Sequence, residues 1–201
     1  MTNEEQFLRV IFPPTHRVAG RRLRPLTLGH YLLLQRMGNP LAILNGFWDH
    51  DCEAGHAAQA LFLFTRGWRE ALRFFEGPEF WQQLRLAWYA DHGDALIQTV
   101  VGLHNHVMDA FKRPNTMAKP KCRFFAVTKL GAPYWMVTIA RMVAQGRTVE
   151  QALDVRVQAA LWINSTEDEE NGVLDWVSAE ESSIQDMVRE EIRLRQEANK
   201  G

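Results

Sequence analysis

The chain has 201 residues, of which 46% are hydrophobic and 23% are charged, and its formal net charge is −1. This composition is typical of a globular protein with one sizeable core, and it argues against global disorder. The near-zero charge argues against a protein that binds nucleic acid mainly through phosphates, because such proteins carry a strong basic excess.

Cysteine usage and the start of the chain bear on the expected compartment. The two cysteines, Cys52 and Cys122, are widely separated and indicate no disulfide framework. The acidic start from Met1 to Glu5 is unlike a secretory signal, and no run of about 18 uncharged apolar residues suggests a membrane span. We therefore expect a cytoplasmic protein that does not enter a membrane.

The first part of the chain, residues 1–26, is expected to be an irregular N-terminal arm. Residues 7–12 are compatible with a short extended segment, which Pro13 would end because proline lacks a backbone N–H. The stretch from His16 to Arg24 contains four arginines. It can be interpreted either as a solvated arm or as a binding arm.

Residues 27–177 are predicted to form a helical domain, because apolar residues recur there at helical spacing between start and stop signals. Residues 41–48 are compatible with a further helical turn. The fold class predicted is all-α, with about seven helices. The predicted helices cover 27–37, 54–64, 68–75, 94–111 and 148–164, and others begin after Gly77 and Pro133.

Capping signals mark several of these boundaries. Thr27 is a suitable N-cap, and Gly146 is a natural left-handed helix terminator. Thr148 begins T-V-E-Q, a capping box with glutamine at the third helical position. Ser178 begins a second box, S-A-E-E, which opens the charged C-terminal helix expected over 178–201.

Two stretches interrupt the helical pattern. Residues 112–131 form a basic connection that contains two prolines, and 122–127 is the only strand expected there. An acidic loop is expected after Asn164, and residues 174–177 alternate enough to allow a short extended piece.

The helix predicted over 94–111 carries a stripe of side chains at helical spacing, and this stripe is expected to face the core. Residues two apart on a helix point about 200° away from each other, so His104 lies on the stripe and His106 faces elsewhere. The two histidines therefore cannot chelate one metal ion. The stripe consists of Ile97, Val100, Val101, His104, Met108 and Phe111.

The sequence contains no motif for catalysis or for cofactor binding. It has no glycine-rich phosphate loop, no dinucleotide fingerprint and no G-x-S-x-G nucleophile elbow. The densest group of metal-ligand types lacks the second close pair that structural zinc sites normally use. We expect no enzyme, no cofactor and no metal site, although the role of this group stays open. Its members are His50, Asp51, Cys52, Glu53 and His56.

The seven tryptophans are spread over nearly every predicted helix, and core packing would account for most of them. Tryptophan is also enriched at interaction hot spots, so some of these side chains can lie on a partner-binding groove. The candidate partner contacts are Trp48, Trp68, Trp81 and Trp135.

The helix, Gly146 and the following helix also have the outline of a helix-turn-helix. Acidic side chains on the outward face of the second helix would repel DNA phosphates, so nucleic-acid binding is not favoured. The outward residues would be Glu150, Gln151, Asp154 and Gln158, with Arg156 as the only cation.

Two stretches resemble phage tail assembly chaperones, a group of proteins encoded among tail genes. The first is Arg24-Pro-Leu-Thr-Leu-Gly-His-Tyr-Leu-Leu-Leu34, followed by Gly38-Asn-Pro-Leu41. The second is Ala140-x5-Gly146-x-Thr148-x-Glu150-x-Ala152-Leu153-Asp154, which leads to Glu170-Asn-Gly172 and a charged C-terminal helix. Val155 and Arg156 stand where similar proteins usually carry a proline.

This resemblance implies a non-enzymatic assembly factor in the cytoplasm of the host cell. Such a factor would coat the long, apolar, helical tape-measure protein before the tail tube forms around it. Two alternatives stay open: a virion structural or adaptor protein of the same gene block, and a helical DNA-binding regulator. The oligomeric state is also left open.

Overall fold

A computed structural model describes residues 2–42, 54–79, 96–112, 114–118, 134–170 and 174–178, together with scattered positions between 180 and 194. In this part of the chain there are eight α-helices, a short 3-10 helix and two small antiparallel sheets. The all-α prediction is confirmed.

The elements are numbered in chain order. The helices are α1 (Asn3–Ile11), α2 (Leu28–Arg36), α3 (Ala54–Thr65), α4 (Trp68–Phe75), α5 (Leu96–Ala110), α6 (Tyr134–Ala144), α7 (Val149–Leu153) and α8 (Val157–Glu170). The strands are β1 (Arg17–Val18), β2 (Arg21–Arg22), β3 (Thr116–Ala118) and β4 (Leu174–Trp176), and the 3-10 helix is Pro40–Ala42.

The chain divides into two compact units. The larger unit comprises residues 13–112 and 133–160, and the smaller unit comprises 1–12, 113–132 and 161–201. The three-part division expected from the sequence, with boundaries after residues 26 and 177, stays a prediction.

Helix α3 forms the centre of the larger unit. It is apolar on nearly all sides, so it can be stable only where other elements surround it. Helices α2, α4 and α5 pack against it. Its buried residues are Ala57, Ala58, Ala60, Leu61, Phe62, Leu63 and Phe64.

The arginine-rich stretch that was expected to be an arm is a β-hairpin. Strands β1 and β2 pair through Arg17 with Arg22 and through Val18 with Arg21. Ala19 and Gly20 make the turn with φ angles of 47° and 72°, the left-handed backbone that tight hairpins use. Val18 is buried.

The prediction of one helix from residue 148 to 164 is wrong, because the chain breaks between α7 and α8. The predicted capping box at Thr148 is present. Beyond Asp154, however, the backbone pairs with the start of α2: the Leu28 N–H donates to the Val155 carbonyl, and the Val157 N–H donates to the Leu26 carbonyl. These long-range hydrogen bonds replace local helical ones.

In the smaller unit, the prediction of an irregular start with an extended segment over 7–12 is wrong for residues 3–11. They form α1, which begins with a capping box: the Thr2 hydroxyl accepts from the Glu5 N–H, and the Glu5 carboxylate accepts from the Thr2 N–H. The Phe7 ring packs on Trp162 at 5.3 Å between centroids. The T-x-x-E signal for this helix is present in the sequence.

The short extended piece predicted near residue 174 is confirmed as β4, which pairs with β3. The prediction of an acidic loop after Asn164 is wrong for residues 165–170, because α8 continues to Glu170. Ser165 and Thr166 donate to carbonyls four residues earlier, so their hydroxyls do not compete with the helix. The strand predicted at 122–127 lies outside the described residues, but the prediction that it is the only strand in 112–131 is wrong, because β3 lies at 116–118.

Candidate functional site

Helix α5 exposes three of the six residues of the stripe that was predicted to face the core, whereas Val100, His104 and Phe111 are half-buried. Its buried residues are instead Thr99, Leu103, His106 and Val107. Ile97 is 75% exposed, Val101 is 51% exposed and Met108 is 37% exposed. We call these three residues the α5 stripe. At 100° per residue they lie within about 40° of one another around the helix, so they form one continuous face.

The prediction is wrong for Ile97, Val101 and Met108 because α5 is apolar on more than one side. Leu103 and Val107 offer α3 as good an apolar surface as the stripe does. Gly102 fixes the orientation locally, because a Cβ atom at this position would lie only 2.9 Å from Val18 Cγ2. The hairpin therefore packs on the glycine side of α5. Sequence periodicity alone does not show which apolar side another element covers.

The two histidines of α5 exchange their expected roles. His106, predicted to face away from the core, is buried, and His104 is only half-buried. The His106 ring lies 5.1 Å from the Phe64 ring and 5.0 Å from the His16 ring. Burial and the neighbouring His16 lower the pKa of His106 to about 4, although the Arg24 backbone raises it in part. His106 is therefore neutral at pH 7.

His106 also lines a small pocket of the larger unit, together with His16, Asp109 and Gln158. His16 Nε2 lies 3.1 Å from Asp109 Oδ2, and Lys112 forms an ion pair with the same carboxylate. Three prolines form much of the apolar wall. This arrangement can bind through hydrogen bonds and charge.

Metal-ligand residues do not come together in the described part of the chain. No group of three or more His, Cys, Asp or Glu side chains there has a geometry that could hold a metal ion. Of the group singled out at 50–56, residues 50–53 lie outside the described residues. His56 is at the start of α3, where its backbone carbonyl accepts a hydrogen bond from Asn39 Nδ2.

Of the four tryptophans proposed as partner contacts, Trp68 and Trp135 can be placed, and Trp48 and Trp81 lie outside the described residues. Trp68 is half-buried and donates from Nε1 to Asp154 Oδ1 at 2.6 Å. The Arg69 guanidinium lies 4.7 Å from the centre of the Trp68 ring. Trp68 thus joins α4 to the turn after α7, and a partner contact by its outer edge stays a prediction.

Trp135 is buried in an aromatic cluster. Its ring centroid lies 4.4 Å from that of Tyr31 and 5.4 Å from that of Phe111. The Tyr31 hydroxyl in turn donates to the Ala42 carbonyl at 3.0 Å. Trp135 therefore contributes to the core of the larger unit, and a partner contact by this side chain stays a prediction.

The second helix of the helix-turn-helix outline, α7, has only five residues. Its acidic side chains are engaged by α4: Arg69 lies 3.6 Å from a Glu150 carboxylate oxygen and 2.9 Å from an Asp154 carboxylate oxygen. Burial acts to raise the pKa of the Asp154 carboxyl, but hydrogen bonds from Trp68 and Arg69 and the positive charge of Arg69 together outweigh it and lower this pKa. Arg69 therefore partly neutralises this acidic face, while Glu150, Gln151 and Asp154 stay exposed.

Comparison with known proteins adds no relative. No protein-family model, curated protein or solved structure matches this chain. None of the helices in the described ranges is long and apolar enough to cross a membrane. The exposed α5 stripe is one surface feature on which a functional argument can rest.

Proposed function

We propose that this chain is a non-enzymatic tail morphogenesis factor of a phage or prophage, a tail assembly chaperone that binds the tape-measure protein. The exposed α5 stripe carries this proposal. Large apolar side chains that form one continuous exposed face are typical of a site where another protein docks.

The chemistry of the stripe suits an apolar helical partner. Between Ile97 and Met108 the helix carries no Asp, Glu, Lys or Arg, and burial lowers the pKa of both of its histidines. An approaching apolar helix would therefore meet no permanent charge to desolvate. Its flanking exposed residues, Gln98 and Asn105, are neutral and polar. Residues spaced i, i+4 and i+11 match the way in which amphipathic helices pack along one another.

Co-expression tests the proposal. The chain would be produced with the tape-measure protein encoded near its gene and purified through a tag on that protein. We expect a soluble complex, and Val101→Asp should weaken its formation by at least about tenfold, because a charge would be buried in the contact.

Asn105→Asp is the matched control, since it adds the same charge at an exposed position of the same helix beside the stripe. It should leave the complex intact. Association with no neighbouring tail protein would contradict the proposal, and so would equal retention of both variants. If the chain is found in purified particles, the alternative role of a virion structural or adaptor protein is favoured instead.

A further inference from the structure

We propose that the β1–β2 hairpin is a docking site for an acidic helix face of a partner protein, whose carboxylates are three or four residues apart. This inference goes beyond the proposed apolar contact and involves a different side of the larger unit. It rests on Arg17 and Arg22, which are directly opposite each other in the hairpin.

The register places both arginines on the outer side of the hairpin. The Leu23 N–H donates to the His16 carbonyl at 2.9 Å, so the adjacent 17–22 pair is the close, non-hydrogen-bonded type. Because side chains alternate across a strand, Arg17 and Arg22 point away from Val18, which is buried against Gly102. Both arginines are exposed.

Two like charges directly opposite in a strand pair destabilise it. Among the residues that the structure describes, no carboxylate lies within ion-pair distance of Arg17 or Arg22, and the one hydrogen bond from Arg22 is a 3.5 Å contact with the Thr15 hydroxyl. In the described part of the chain, therefore, no carboxylate neutralises the charge of either guanidinium group. A bound anion would relieve the repulsion, and each guanidinium can hold a carboxylate through two parallel N–H bonds.

The spacing and the charge of the protein favour an acidic helix over nucleic acid. Cβ atoms of such a cross-strand pair are about 4.5–5.5 Å apart, close to the 5–6 Å between Cβ atoms at i and i+4 of a helix. Nucleic-acid binding through phosphates calls for a larger basic surface, whereas this chain has a net charge of −1.

A fluorescently labelled, alanine-based helical peptide with glutamate at every fourth position is the probe, and the same peptide with glutamine is its control. Anisotropy titration of the full chain in 50 mM NaCl should show binding of the glutamate peptide only. Binding should weaken at 300 mM NaCl because salt screens exposed charges. Arg17→Gln or Arg22→Gln should each weaken it about fivefold.

Arg147→Gln is the charge-matched control, because Arg147 is exposed in the turn between α6 and α7, and it should change the affinity little. Arg22→Thr should weaken binding as much as Arg22→Gln does, yet raise the melting temperature by about 1–2 °C, since it removes the like-charge pair and introduces a good strand former.

Equal affinity of the wild type, Arg17→Gln and Arg22→Gln for the glutamate peptide would overturn the inference, as would no binding in 50 mM NaCl. Tighter binding of a 20-base-pair DNA duplex than of the peptide would also overturn it and would favour nucleic acid. No tail protein is present in this experiment, so its outcome is independent of the proposed function.

Discussion

The indole ring of Trp68 lies directly against Gly29 of α2. A Cβ atom added at position 29 would be only 2.6 Å from two atoms of the ring, far inside van der Waals contact. The same indole donates to Asp154, so Trp68 holds α2, α4 and the end of α7 together. Gly29 lies in the first of the two stretches that resemble tail assembly chaperones, and Asp154 lies in the second.

Gly29→Ala should therefore destabilise the larger unit, because the ring would have to move and would strain its bond to Asp154. We expect a loss of about 1–3 kcal/mol in the free energy of unfolding, measured by urea denaturation. Gly55→Ala is the control, since a Cβ at position 55 would meet nothing within 4 Å. It should be neutral or slightly stabilising, and an equal loss at both positions would contradict the contact.

Stability should fall in mild acid because two histidines are buried in the neutral form. His30 Nε2 donates to the Arg66 carbonyl at 2.9 Å, and its Nδ1 lies 2.8 Å from the Thr27 hydroxyl. Burial lowers the pKa of His30 to about 4, and burial together with His16 does the same for His106. In the unfolded chain both would titrate near 6.5.

Because the folded-state pKa values lie below the unfolded ones, the contribution of each neutral histidine is complete above pH 6.5 and is lost as pH falls towards 4. Each can cost up to about 3 kcal/mol over this range. Urea denaturation at pH 7.5, 5.5 and 4.5 would measure how the free energy of unfolding changes with pH. His106→Leu should reduce this pH dependence, because it removes one of the two buried groups that take up a proton in acid.

Helix α1 is tied to the smaller unit by polar contacts. The Asn115 N–H donates to Asn3 Oδ1 at 2.8 Å, and Asn3 Nδ2 donates to the Val177 carbonyl at 3.1 Å. Asn3→Ala should remove both hydrogen bonds at a local cost of about 1–3 kcal/mol. Hydrogen exchange should then accelerate in α1 and β4, whereas Arg9→Ala, at an exposed position of α1, should leave β4 unchanged.

The capping box at Thr148 should contribute measurably to the larger unit. The Gln151 N–H donates to Thr148 Oγ1 at 3.1 Å, and the Thr148 N–H donates to Gln151 Oε1 at 2.9 Å. Thr148→Ala should lower the free energy of unfolding by about 1 kcal/mol. Thr148→Ser keeps the hydroxyl and should behave like the wild type in the same denaturation experiment.

Much of the fold could be predicted from local signals, whereas the candidate surfaces could not. Thr27 and Thr148 cap helices as predicted, and Ser178 accepts the Glu181 N–H bond of the predicted box, since a side chain bonds a backbone N–H only three residues away. The Arg17–Arg22 pair was missed because strand register depends on a turn with left-handed residues at Ala19 and Gly20. Its only visible signal was a cluster of arginines.

The sequence by itself determined the fold class and most helix starts, because apolar periodicity and capping act within one or two turns. Only the tertiary structure decided which side of α5 is covered. Leu103 and Val107 on one side and Val101 and Met108 on the other are comparably apolar, so burial depends on where α3 and the hairpin lie. The tertiary structure also decided that the helix predicted over 148–164 is interrupted. Val155 and Val157 form backbone hydrogen bonds with Leu28 and Leu26, which are more than a hundred residues earlier in the chain.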